Sequence, residues 1–272
     1  MIRYALVLLL SLLFRPVAAQ PNCLIYQAGS PERAACELYL QALELPQGSI
    51  QSQVYFDRVI ALCPTFAAAY HEKSVPFLKR GDFLTWKKLI DEAVRLQPDR
   101  YLADRGWCRF KFLRDYRGAL ADITRLQQLT RNQPGQSGDG NYDLRILAAL
   151  CQRELGDLRA ALTTFDACIA DNKPLDRVGL YDYLHRGVTK LRLHDYAGAL
   201  ADFKLQRTVN GKLAETDYYT ALILRQQHQP DASARMQIAR QLWQQGYRLN
   251  DPYMSMPDEI SLPDIDRFLQ QQ

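Results

Sequence analysis

The chain has 272 residues, 47% hydrophobic and 24% charged, with 34 Lys and Arg against 30 Asp and Glu. That length and apolar content suffice for a sizeable core, and 15 Tyr, 10 Phe and 3 Trp exclude a mainly disordered chain. One apolar run, at the N-terminus, excludes a polytopic membrane protein, and the near balance of charge gives no field for nucleic acid or an anionic membrane surface.

Residues 1–19 read as a secretory signal. Arg3 is a basic n-region, and Tyr4 to Phe14 is an apolar run shorter than the roughly 20 residues a bilayer span needs. Val17-Ala18-Ala19 then offers small residues for cleavage before Gln20. The expectation is a periplasmic or secreted protein with no integral span after cleavage. No lipid anchor is expected, because Gln20-Pro21-Asn22 ahead of Cys23 does not fit a lipoprotein signal. Cleavage removes Arg3 and Arg15, so the mature charge lies closer still to neutral. Residues 20–30 form a lead-in. The six cysteines are Cys23, Cys36, Cys63, Cys108, Cys151 and Cys168. They contain no C-x-x-C and no nearby His pair, which argues against zinc. Disulfides and buried thiols both stay open, since connectivity is not readable from spacing.

From residue 31 onward the chain repeats itself. Asp57-Arg58-Val59-Ile60-Ala61-Leu62-Cys63-Pro64 is echoed by Asp91-Glu92-Ala93-Val94-Arg95-Leu96-Gln97-Pro98, an offset of 34 read directly from Pro64 and Pro98. Asp115-Tyr116-Arg117-Gly118-Ala119-Leu120-Ala121-Asp122 recurs as Asp195-Tyr196-Ala197-Gly198-Ala199-Leu200-Ala201-Asp202, and related junctions stand at Gly81-Asp82-Phe83 and Gly156-Asp157-Leu158. Each junction Asp is placed to cap the helix that follows. Ala119 with Ile123, Ala161 with Phe165 and Ala199 with Phe203 put a small residue and a bulky one four apart on one helix face, which suits close helix pairing.

With these motifs the chain resembles the tetratricopeptide repeat (TPR) family, in which 34-residue helix pairs stack. The Ala-x-x-x-aromatic second helix and closing Pro fit; the first-helix Leu-Gly pair is absent, although Gly106 and Gly187 keep a small residue after Arg105 and Arg186. The resemblance implies an all-α, right-handed solenoid of about six helix pairs with a C-terminal capping segment. Three pairs are expected over 31–131 and three over 141–246, as helix pairs near 31–64, 65–98, 99–131, 141–174, 177–210 and 214–246. The polar, Gly- and Pro-rich loop 132–140 either bulges from one edge or hinges the two halves. In the tail 247–272, Pro252, Pro257 and Pro263 break any long helix, while Ile265, Phe268 and Leu269 suit a short capping helix.

Site chemistry is sparse. Asp139-Gly140-Asn141-Tyr142-Asp143 lacks the glycine and bidentate Glu of a calcium loop. His71, His185, His194 and His228 make no ligand pair, and no nucleophile elbow, phosphate loop or dinucleotide turn occurs. No enzyme activity, metal or cofactor is expected. The remaining candidate is the concave face that the first helices of stacked pairs line. Taking Ala103, Gly106, Trp107 and Phe110 as core, the spacing aims Tyr101, Asp104 and Lys111 into that groove. The same reasoning assigns it Tyr142 and Arg145 from the fourth pair, with His185 and Arg192 from the fifth. The resemblance implies a non-catalytic adaptor or scaffold that captures a peptide or partner helix there. It does not carry over the chaperone-carboxylate specificity of some members, which uses groove Asn residues missing from the second, third and fifth first helices. Two other readings stay open: a glycan-uptake accessory binding protein, and an oligomeric scaffold using its ends or convex face.

Overall fold

Within four of the helix hairpins the second helix starts from a side-chain cap. The junction aspartates accept the amide three residues on, Asp82 from Thr85, Asp115 from Gly118, Asp157 from Ala160 and Asp195 from Gly198. Ser30, Ser49 and Ser261 do the same for their helices, satisfying donors that a first turn leaves free. The computed structural model describes residues 21–271, so the secretory segment expected at 1–19 lies outside the described residues. No strand occurs among the described residues.

The helices are α1 (Pro31–Leu43), α2 (Ile50–Leu62), α3 (Ala67–Lys79), α4 (Phe83–Leu96), α5 (Pro98–Cys108), α6 (Tyr116–Leu129) and α7 (Leu144–Glu154). They continue with α8 (Leu158–Asn172), α9 (Asp182–Arg192), α10 (Tyr196–Val209), α11 (Ala214–Gln226), α12 (Ala232–Gln244) and α13 (Leu262–Gln270). The chain divides into two compact units, Met1–Gln97 and Pro98–Gln272. No described helix is long and apolar enough to cross a membrane.

In the first unit α1 pairs with α2 and α3 with α4, and α2 packs on α3. Its core gathers Tyr39, Phe56, Val59 and Phe66, with the Tyr39 ring 6.0 Å from Phe56 and 5.2 Å from Phe66. A disulfide between Cys23 and Cys36 ties the lead-in to α1, settling the fate of two of the six cysteines.

In the second unit α5 pairs with α6, α7 with α8, α9 with α10 and α11 with α12. The first helices also touch in succession, α5 to α7, α7 to α9 and α9 to α11, and so form one layer. The repeated motif explains the pairing. Ala119, Ala161 and Ala199 are fully buried, as are Ile123, Phe165 and Phe203. The closing Asp of the motif is buried too, and clamps the Arg of the first helix through two bonds. Arg105 donates to Asp122 at 2.9 and 2.6 Å, and Arg186 to Asp202 at 2.9 and 2.5 Å. Two parallel bonds to a carboxylate fix geometry as well as charge. α13 covers the end of the stack, with Ile265 and Phe268 entering the cluster of Ala221, Met236 and Ala239.

Two features depart from the simple repeat. α5 runs on into a π-helical turn, Arg109–Leu113, closed by Arg114 at φ 50. The third pair carries one residue more between Gly106 and Asp115 than the fifth carries between Gly187 and Asp195, and the wider turn absorbs it. The 132–140 loop is folded back onto its own unit. The Ser137 amide donates to the Tyr142 carbonyl at 2.7 Å, the Tyr142 amide donates to Ser137 Oγ at 3.0 Å, and Gly138 lies against Trp107. The two compact units part between Gln97 and Pro98, so this loop is not their boundary.

The glycines following the clamping arginines serve close approach. A Cβ on Gly187 would stand 2.5 Å from the Phe203 ring, whereas one on Gly106 would meet nothing nearer than 3.3 Å, at Asp122. Gly187→Ala is therefore expected to destabilise the protein by about 1–3 kcal/mol in urea unfolding. Gly106→Ala should be close to neutral, because alanine's helix preference of about 1 kcal/mol over glycine offsets a mild contact.

Candidate binding face

Between α12 and α13 the chain leaves helix for an irregular loop, residues 247–261, that crosses the layer of first helices in the second unit. Both of its ends are pinned. The Tyr247 carbonyl accepts from the Ala214 amide at 2.8 Å, and the Ile260 carbonyl from Trp243 Nε1 at 3.2 Å. Leu249, Met256 and Ile260 are buried.

The loop is held by charge drawn from successive pairs. Lys111 Nζ, at the end of α5, reaches Asp251 at 2.5 Å and Asp139 at 3.4 Å, and sits 4.9 Å from the Trp107 ring centre. Arg114 donates to the Ser255 carbonyl at 2.9 Å. From α7, Arg153 Nη1 donates to Asp258 at 2.8 Å, and from α9 His185 Nδ1 meets the same oxygen at 2.6 Å. Tyr219 of α11 donates to the Asp258 carbonyl at 3.3 Å. The face lined by first helices thus holds an irregular acidic segment of its own chain.

This arrangement changes the site expected from spacing. Lys111 and His185 do lie on the face, but beneath the loop; His185 is 0% exposed and Lys111 7%. Tyr142 is buried as well, 5.7 Å from His185 between ring centres. Tyr101 is buried beside Leu102, because the apolar side of α5 extends one position further round than Ala103, Gly106, Trp107 and Phe110 imply. Asp104 is half-buried. Arg145 turns away to the outer edge, where it binds Asp143 at 2.8 Å and Asp171 at 2.7 Å. It lines a cleft of about 520 Å³ together with Arg131, Pro134, Asn172 and Arg177. Arg192 is exposed and paired with Glu154 at 3.1 Å. An open stripe of seven residues is therefore not what the fold presents. Arg114, Arg153, Glu215, Tyr219, Asp251 and Asp258 also meet at this face, and helical spacing does not mark them. The extra residue ahead of Asp115 is the one sequence signal that could have flagged the turned end of α5.

Burial sets the electrostatics. Burial alone would raise the Asp258 carboxyl, but the charge of Arg153 and the bond to His185 outweigh it and hold the group down to about 2. Asp251 is also lowered: burial opposes, while Lys111 and the Tyr253 and Met254 amides prevail. Glu215 and Asp182 make no ion pair among the described residues, and His185 and Arg145 lower Asp182 only from a distance. Burial pushes Glu215 up to about 7, against the amides of Leu249 and Ile260 that it faces without a well-formed hydrogen bond. It pushes Asp182 up to about 6, against the Gly179 amide. Burial raises the Cys108 and Cys151 thiols to about 12, which leaves them protonated and poor nucleophiles. No group of three or more His, Cys, Asp and Glu among the described residues is placed to hold a metal ion.

With this geometry in hand, solved structures give the fold a name. PilF of Pseudomonas aeruginosa matches with a TM-score of 0.60 at 13% identity, over 89% of this chain and 99% of that one. A tetratricopeptide repeat protein of Parabacteroides merdae matches at 0.51 and 14% identity, over 90% and 86%. The chain has a TPR-like α-solenoid fold. PilW, described as a widely conserved type IV pilus biogenesis factor, is similar to this TPR-like chain at 0.55 and 14% identity, over 78% and 91%. At such identities the likeness speaks for the fold alone. No protein-family model matches the sequence, and no curated protein matches it.

A carboxyl whose folded value lies above that of a free Glu holds its proton more tightly folded than unfolded. The stability linked to Glu215 is therefore complete below about pH 4.5 and declines as pH rises to about 7. Asp258 works in the opposite direction, losing its contribution only as pH falls toward 2. Glu215→Gln is expected to be more stable than the parent at pH 8, by on the order of 3 kcal/mol, and equal to it at pH 4. Urea titrations at the two pH values measure this, and a smaller decline from Asp182 should persist in the variant.

Proposed function

We propose that this TPR-like protein is a non-catalytic interaction module that engages a partner protein along the face lined by α5, α7, α9 and α11. The TPR-like fold supports a protein-interaction or scaffold role. The observation that carries the finer reading is the loop contact itself. Lys111, Arg114 and Arg153 bind acidic side chains and a main-chain carbonyl of an irregular segment, which is the chemistry a groove needs to hold peptide. Protonated, buried thiols and the lack of a nucleophile–base pair or metal cluster among the described residues support a role in binding over catalysis.

We further propose that the protein acts outside the cytoplasm, in the periplasm or as a secreted protein. The n-region, apolar run and small residues of 1–19 support this, and so does the Cys23–Cys36 disulfide, since such bonds persist in oxidising compartments. Site-specific photo-crosslinking tests the binding face. A photoreactive residue replacing the exposed Tyr253, over the inner face, should trap a partner from envelope or culture fractions. The same residue at Arg125 on α6, away from the loop, should not. A partner trapped equally at both positions, or only at Arg125, would move the interaction elsewhere.

A further inference from the structure

The loop that covers the inner face is a poor fit for a permanent structural element. It has no regular secondary structure between 249 and 261. Its internal support is confined to Asp251 accepting the Tyr253 and Met254 amides and to Glu259 closing a turn with Met256. The anchoring Asp258 has φ +68, a left-handed conformation uncommon for a residue with a Cβ. His185 Nε2, Arg153 Nη2 and Asp258 Oδ1 are buried with no protein hydrogen-bond partner among the described residues, and closure carries a desolvation cost for each. Tyr253 at the crest is 76% exposed. The chain on either side is nonetheless fixed, at Tyr247 by the Ala214 amide and beyond Ser261 by α13, which is docked on α12. The segment between can leave without unfolding its anchors.

The chemistry beneath is specific. A cation with an aromatic ring at its side, Lys111 over Trp107, receives the first carboxylate. Arg153 and His185 receive the second, seven positions later in the loop, and Met256 is buried between them.

We propose that loop 250–259, between the buried Leu249 and the pinned Ile260, is a resident substitute for a partner. The inner face of the second unit is a docking site for an irregular acidic segment of another protein, one that carries two carboxylates about seven residues apart with an apolar side chain between. That segment binds by displacing the loop. The inference rests on the interaction-module reading above and adds to it the chemistry of the partner and the reason the face is covered.

The test uses the full chain and, as probe, a fluorescent synthetic peptide of residues 247–263. Fluorescence anisotropy compares the parent with the double variant Asp251→Asn, Asp258→Asn, in which the loop loses both anchors. The variant is expected to bind the peptide at least tenfold more tightly than the parent. Placing Asn at both positions of the peptide should abolish that gain. Equal affinities, or no binding to a variant whose circular dichroism is intact, would overturn the proposal. So would a dimer of the variant in light scattering whose loops are exchanged between copies, since a second copy would then be the occupant. If the variant does not fold, hydrogen exchange on the parent decides. Amides of Tyr253, Met254 and Met256 should exchange at least 1,000-fold faster than those of α7 and α9, and equal protection would mean that the loop opens only on global unfolding. Peptide binding to neither protein, beside a partner crosslinked at Tyr253, would remove the displacement idea and leave the interaction module standing. No binding and no crosslink would remove both.

Discussion

A carboxylate taken out of water must meet positive charge, and in the second unit Asp258 meets two sources of it on one oxygen. Arg153 comes from α7 and His185 from α9, so one buried acid joins neighbouring pairs to a segment more than 70 residues further along the chain. Removing either side of such a contact leaves an uncompensated buried charge, which is far costlier than losing a surface ion pair. That contact fixes the position of the loop over α7 and α9.

The same rule, applied within each pair, builds the stack. Asp122 and Asp202 are buried and are tolerated because Arg105 and Arg186 cross from the first helix to meet them, joined by Arg109 and Lys190. The alanine and glycine at the crossing allow the backbones to come close enough for the bidentate contact, and the bulky residue four positions on fills the remaining space. Ion pair and close packing are thus one device repeated. Where the third pair carries an extra residue, the clamp is kept and the helix yields instead, as a π turn that delivers Lys111 and Arg114 to the loop.

The buried acids under and beside the loop are not treated alike. Asp258 and Asp251 are matched by cations, while burial prevails at Glu215 and Asp182 and pushes them toward neutrality. An arrangement that mixes paired and unpaired buried carboxylates is stable but not optimised for stability. Under the proposed binding role, that is the condition expected of a surface whose fit to its own chain is limited by the need to release it.

The sequence by itself determined the hairpins. Capping aspartates, the Ala-x-x-x-bulky spacing and the recurring Arg-Gly are local patterns, and local backbone geometry converts them directly into helix starts, buried faces and close crossings. It also marked Lys111 and His185 as residues of the inner face. Only the tertiary structure decided that this face is covered. Pairing of Asp251 with Lys111, and of Asp258 with Arg153 and His185, joins residues that no periodicity relates, and Arg145 was drawn to the outer edge by Asp143 and Asp171. Helical spacing tells which side of a helix a residue occupies; it does not tell which distant charge will meet it there, because that is fixed only when the stack brings the chain's end back across its own first helices.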